Sequence, residues 1–145
     1  MSSGRPGGLV DVTETTVHLL RDSAAFSGFS VDDLDAARTF YEEVLGLPTS
    51  ADPVVPGLLD LHVGGGRDVL VHTKGPAHSP ATYTVLNFPV PDVDAAVAQL
   101  TAAGVRFLHY DSPPTDGTGV MRAGGPLIAW FTDPAGNVFS VIEQR

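Results

Sequence analysis

The sequence predicts an α+β fold in which one unit, a strand, a helix and then further strands, occurs twice. Three observations predict it. Residues 29–37 read F-S-V-D-D-L-D-A-A and residues 88–96 read F-P-V-P-D-V-D-A-A, so Phe, Val, Asp, Asp, Ala and Ala recur at an offset of 59. Apolar side chains follow each repeat at helical spacing. Sixteen glycines and twelve prolines in 145 residues read as many turns, hence many short strands.

The elements follow in order. Residues 1–22 read as an N-terminal tail or arm: 1–10 is a Ser/Gly/Pro tail, and 11–22 (DVTETTVHLLRD) fits a β-rich arm or a short helix. Residues 23–145 form one domain, with a first module at about 23–74, a linker at 75–80 (GPAHSP) and a second module at about 81–145. In the first module Leu34, Ala37, Phe40, Tyr41, Val44 and Leu45 share one helix face; in the second Val93, Ala96, Val97 and Leu100 do. Asp33 and Asp92 stand where an N-cap accepts an orphan backbone N–H. Gly46 and Gly104 stand where a left-handed residue closes a helix. Residues 58–63 (LLDLHV) match 127–132 (LIAWFT) at an offset of 69. Each runs into turn chemistry, Gly64-Gly65-Gly66 or Asp133-Pro134-Ala135-Gly136-Asn137, and then into a strand, 68–73 or 138–143. One unit alone leaves a sheet face bare, so the two are expected to pack together.

Composition excludes several functions. Eight Lys+Arg against 17 Asp+Glu give a net charge of −9 with His neutral, which repels nucleic-acid phosphates and anionic membrane surfaces. The chain has no Cys, so disulfides and thiolate chemistry are excluded and a metal site would need His, Asp or Glu. No apolar run approaches the roughly 18 residues of a membrane span, and Met1 to Gly8 lacks the apolar stretch of a signal peptide. A soluble cytoplasmic protein is the expectation.

Three motifs carry a family resemblance: F-S-V-D-D-L-D-A-A-R-T-F-Y-E-E-V-L-G-L at 29–47, V-P-D-V-D-A-A-V-A-Q-L-T-A-A-G-V at 90–105, and A-W-F-T-D-P-A-G-N-V at 129–138. In order and spacing they resemble the vicinal oxygen chelate superfamily, which includes glyoxalase I, extradiol dioxygenases, fosfomycin-resistance enzymes and bleomycin-binding proteins. The resemblance implies two βαβββ modules whose sheets curl into one half-barrel around a cavity, with the helices outside. It also implies a homodimer. Metal-using members hold ligands on the first strand of a module, seven residues before the capping Asp, and a Glu on the last strand, seven after the Asp of D-P-x-G-N. Here those positions are Phe26, Val85 and Ser140, and the matching first-module position is Val71, or Leu70 in a register shifted by one. None is a usual metal ligand, and a slip of one residue offers only Ser27 or Thr84. The expectation is therefore no metal and no cofactor.

Strand alternation assigns the cavity wall. If Val85 faces inward, so do Tyr83 and Asn87, with Leu86 and Phe88 toward the helix; if Ser140 does, so do Val138 and Ile142. The resemblance adds Trp130, with Ile128 beside it, and Phe26 on the first strand. His72 joins the wall only in the shifted register, and Arg122, one of few cations, is a candidate partner for an anionic ligand. The candidate ligand-binding set is thus Phe26, His72, Tyr83, Asn87, Arg122, Trp130 and Ser140, with no catalytic residue assigned. Each has a plainer reading: Trp130 as core filler, Tyr83 and Asn87 as surface residues, Ser140 as a small residue that fits, Arg122 as a surface cation. His62 shares a strand face with Asp60 and is expected to meet solvent or a dimer partner, and His78, in the linker, is expected to be exposed. The Gly/Pro-rich loop 111–125 is a candidate lid.

Three functions follow as expectations. The first is a metal-independent protein that binds a small, partly aromatic organic molecule in the hollow. The second is a lyase, isomerase or dioxygenase-type enzyme of the same superfamily, using metal-free acid/base residues or displaced ligands such as His62, His72 and Glu143. The third is an interaction module whose cavity is filled by its own side chains.

Overall fold

The structure, a computed structural model, describes residues 18–145. The arm expected at residues 1–22 therefore lies outside the described residues up to residue 17. Two four-stranded mixed sheets build the fold. The first joins β1 (Gly28–Val31), β2 (Thr49–Ala51), β3 (Leu58–Val63) and β4 (Arg67–Thr73) in the order β1-β4-β3-β2. The second joins β5 (Thr84–Val90), β6 (Val120–Met121), β7 (Ile128–Thr132) and β8 (Val138–Glu143) in the equivalent order β5-β8-β7-β6. In each, the first strand runs parallel to the last and the others antiparallel. A helix crosses from first strand to second: α1 (Leu34–Thr39) and α2 (Val93–Ala102).

The helix starts form as their sequence dictates. The Asp33 carboxylate accepts the Ala36 N–H at 3.1 Å, and that of Asp92 accepts the Ala95 N–H at 3.0 Å. We expect Asp33→Ala to cost about 1 kcal/mol, read as a lower denaturation midpoint at unchanged slope. The helix ends differ from expectation. The first helix is not α-helical through Leu45: it widens into a π-helical turn over Phe40–Val44, where the Leu45 N–H donates to the Phe40 carbonyl. Gly46 and Gly104 take φ of +71° and +100°, as helix-closing glycines do.

Each sheet has one face under its helix and one free face. Phe29, Val31, Leu59, Leu61, Val69, Val71, Ala129, Phe131, Phe139 and Val141 point toward the helices and are buried. The helical layer also joins the modules. The Phe139 ring meets those of Phe29, Tyr41, Phe88 and Phe131 at centroid distances of 5.7–6.1 Å. The Tyr41 hydroxyl, on the π-helical turn, donates to the buried Asp133 carboxylate of the second module at 2.7 Å. Asn137 crosses the same seam, its Nδ2 donating to the Ser30 carbonyl at 2.8 Å.

His78 corrects an expectation. It is half-buried, its Nε2 donating to the Ala135 carbonyl at 3.0 Å while Ser30 Oγ lies 2.8 Å from Nδ1. A carbonyl only accepts, so Nε2 carries the proton and Nδ1 accepts from Ser30. The linker histidine thus binds the start of one module to the turn of the other.

Candidate functional site

The free faces of the two sheets carry the candidate site. On β8, Phe139 and Val141 lie under the helix, so Val138, Ser140 and Ile142 take the opposite face; on β7, Ile128, Trp130 and Thr132 do the same. Trp130 is the register partner of Ser140, and Ser140 is the partner of Asn87 on β5. The Ser140 hydroxyl donates to Asn87 Oδ1 at 2.6 Å; Ser140 is fully buried, Asn87 exposed. Tyr110 stands edge-on to Trp130, with centroids 5.4 Å apart, and the Leu108 N–H donates to the Trp130 carbonyl at 2.7 Å. Trp130, Asn87 and Ser140 therefore form one cluster, with the loop after α2 laid against its aromatic member.

The remaining candidates are dispersed. On β4, Val71 is fully buried under the helix, so Leu70 and His72 face the free side: the shifted register is the one adopted. His72 pairs in register with Ser30 and Leu58. Tyr83 departs from the alternation drawn for it. The β5–β8 register runs Thr84 to Val138 and then Leu86 to Phe139, so Val85 is a bulge and Thr84, not Val85, shares the face of Val138. Tyr83 instead lines a separate hollow of ≈ 370 Å³ with Val85 and Asn137, 70% exposed. Phe26 precedes β1, is 71% exposed and borders a larger hollow of ≈ 760 Å³ over the free face of the first sheet, with Leu58, Asp60, Asp68 and Leu70.

Arg122 does not serve this face. Its Nε donates to Asp116 at 2.7 Å and its Nη2 to Asp94 at 2.5 Å, on the first turn of α2. Asp94 and the neighbouring Thr118 line a groove of ≈ 620 Å³ beside α2, on the helical side. Asp116 also accepts the Thr118 N–H and hydroxyl and the Val120 N–H, and these donors hold its carboxyl far below the usual carboxylate range. Arg122 is committed to two carboxylates, which explains its place in an acidic chain without a ligand.

The metal centre implied by the resemblance finds poor donors here. Leu70, Thr84 and Ser140 face the free side, Val85 sits on the bulge, and Phe26 lies ahead of the strand. Ser140 spends its proton on Asn87. Among the described residues no group of three or more His, Cys, Asp or Glu is placed to hold a metal ion. These residues do not fit the ion.

One constellation was not read from the sequence. Ser50 Oγ lies 2.6 Å from His62 Nε2, and His62 Nδ1 lies 2.7 Å from Asp68 Oδ1. Alternation puts His62 on the free face, and its partners come from β2 and β4. The sole advance signal was the alternation that puts His62 on the free face.

Two βαβββ modules with their last strands parallel to their first, and helices on one face, define a paired-module α+β protein. The family model of the Glyoxalase/Bleomycin resistance protein/Dioxygenase superfamily matches residues 18–141, and the chain belongs to that superfamily. Among solved structures it is similar to TnmS3, an antibiotic binding protein from Streptomyces sp. CB03234, at 25% identity and TM-score 0.59 over 86% of this chain and 98% of that one. It is also similar to a member of the superfamily from Sphaerobacter thermophilus DSM 20745, at 26% identity and TM-score 0.61 over 84% and 98%. The fold extends to the fosfomycin resistance protein FosX from Mesorhizobium loti, at 12% identity and TM-score 0.57 over 86% and 93%. No curated protein sequence matches the chain. Among the described residues no helix is long and apolar enough to cross a membrane.

Proposed function

We propose that the protein binds a small, partly aromatic organic molecule on the free face of its second sheet without help from a metal. One observation carries this reading: where metal-using relatives hold a carboxylate, this chain has a fully buried Ser140 bonded to Asn87 and seated beside Trp130. A hydroxyl donating to an amide cannot replace a charged ligand, whereas an indole flanked by Ile128, Ile142 and the Tyr110 ring offers apolar area to a flat ligand. The likeness to an antibiotic binding protein at 25% identity supports the same ligand class. In this reading the protein acts in the cytoplasm as a homodimer; the exposed Phe26 and Tyr83 rings supply apolar area for a second copy.

The experiment uses the protein's single tryptophan, Trp130, whose emission reports directly on this face. Flat aromatic antibiotics and bleomycin are titrated into the protein with and without a chelator. Saturable quenching that survives the chelator is the expected result, and quenching that disappears with it would refute metal independence. Trp130→Ala, measured by calorimetry, should weaken binding of the same ligand about 30-fold, the ~2 kcal/mol of a central aromatic contact. An unchanged affinity would remove this face from the site.

A further inference from the structure

We propose that Ser50, His62 and Asp68 form a hydrolytic triad, and that the protein cleaves small carboxylic esters free of negative charge beside the hollow over its first sheet. This activity is separate from the binding reading, which rests on the other sheet. The antiparallel register builds the triad. Ser50 pairs with Asp60 across β2–β3, and His62 pairs with Asp68 across β3–β4, so the three side chains share the free face on neighbouring strands. The order of contacts fixes the proton. An ionised Asp68 only accepts, so His62 Nδ1 donates to it at 2.7 Å, which leaves Nε2 to accept the Ser50 hydroxyl at 2.6 Å. Nucleophile, base and orienting carboxylate thus stand in sequence within hydrogen-bond reach.

The surroundings suit a substrate. The His62 and Asp68 side chains are 34% and 53% exposed, so an ester can approach. Asp68 itself borders the ≈ 760 Å³ hollow, whose wall carries Leu58, Leu70 and Phe26 for an acyl or alkyl group. Asp52, Asp60 and Asp68 outnumber the one cation there, Arg67, and repel an anionic substrate. β2 is an outer strand. The Asp52 N–H donates to the Leu58 carbonyl and the His62 N–H to that of Pro48, so by ladder alternation the Ala51 N–H faces the unpaired edge. That donor, one residue after the nucleophile, is placed at the open edge where it could meet an oxyanion.

The reaction balances with water alone. Ser50 Oγ bonds to the ester carbonyl carbon as its proton passes to His62 Nε2. The bond from that carbon to the alcohol oxygen breaks, and His62 returns the proton to the departing alcohol. Water then attacks the acyl–Ser50 carbon, giving its proton to His62, and the carboxylic acid leaves as Ser50 regains a proton. Ser50 and His62 are the catalytic residues; Asp68 is a positioning residue that holds the tautomer.

The test uses the full chain with 4-nitrophenyl acetate, and diisopropyl fluorophosphate as a covalent probe located by mass spectrometry. We expect saturable hydrolysis, a nitrophenolate burst of one equivalent per chain, and the phosphoryl label on Ser50. Ser50→Ala should abolish label and burst, and His62→Gln should lower kcat at least ~100-fold. Asp68→Asn should lower kcat with little change in KM, and Asp68→Glu should restore part of it, which a merely structural carboxylate would not do. 4-Nitrophenyl hemisuccinate, with the same leaving group and a negative charge, should react at least ~10-fold more slowly in kcat/KM. Hydrolysis retained in Ser50→Ala, or a label found elsewhere or nowhere on the wild-type chain, would overturn the proposal. The wild-type labelling needs no variant to fold.

Discussion

Replacing Phe139 with Ala should destabilise the protein by about 3–5 kcal/mol, the largest effect expected of any single truncation in its core. Phe139 is fully buried on β8, and its ring touches four other rings. Two of these, Phe29 and Tyr41, belong to the first module; Phe88 and Phe131 belong to the second. Truncation therefore empties the place where the two units meet and leaves both sets of rings without a packing partner. The surroundings have little freedom to collapse, because Phe29 and Phe131 are held on paired strands. Urea denaturation followed by circular dichroism would show the loss as a lower midpoint. Phe139→Leu, which keeps most of the volume, should cost less than half as much. Equal losses for the two variants would mean that ring stacking, and not filled space, holds the seam.

The second large effect concerns Tyr41 and Asp133. The phenol donates to a carboxylate that also accepts the Asn137 N–H at 2.8 Å, within a buried turn. Burial is the first cause that raises the Asp133 pKa above its usual 3.8, and the donated hydrogen bonds oppose it. Burial, and then the Asp133 charge, push the Tyr41 phenol far up, so it stays protonated and keeps donating at any ordinary pH. Tyr41→Phe should cost about 1.5–3 kcal/mol near neutral pH, because it withdraws a donor from a buried charge.

The pH dependence has a definite sign. A carboxyl whose folded pKa is raised holds its proton more tightly folded than unfolded. Its contribution to stability is thus present in full below about 3.8 and is lost as pH rises through the raised folded value. Tyr41→Phe removes a donor that favours the ionised form, so the folded value rises further and the loss extends to higher pH. The gap in stability between wild type and variant should therefore widen as pH rises from the acid side and then level off. Denaturation across that range checks it; a flat gap would show that Asp133 does not ionise in the native protein there, and a narrowing one that the phenol favours the protonated carboxyl.

Helix starts and closing glycines were legible because each depends on neighbours close in the chain. Asp33 and Asp92 cap the residues three positions later, and Gly46 and Gly104 take φ values that a side chain would resist. The resemblance placed Ser140 and Trp130 on the cavity wall, and strand alternation then carried Val138 and Ile142 to the same face. The clustering of Trp130, Ser140 and Asn87 then followed from the strand order of the resembled fold. The strands β2 and β6, of three and two residues, were too short to show alternation.

What depended on contacts distant in sequence stayed out of reach. Val85 reads as an ordinary strand residue; it becomes a bulge only because β8 offers no partner between Val138 and Phe139. Arg122 reads as a free cation until folding sets Asp94 and Asp116 beside it, and His78 reads as an exposed linker residue until Ser30 and Ala135 close on its ring from two modules. The contact of His62 with Ser50 and Asp68 depends on the pairing of three strands, and shifting that register by one residue would turn those side chains to opposite faces. Periodicity, capping and turn chemistry act over a few residues, so the chain alone determined its helix starts, its closing glycines and most of its elements. Register, bulges and the choice among competing charges are set by contacts made only as the sheets assemble, so tertiary structure decided which side chains meet.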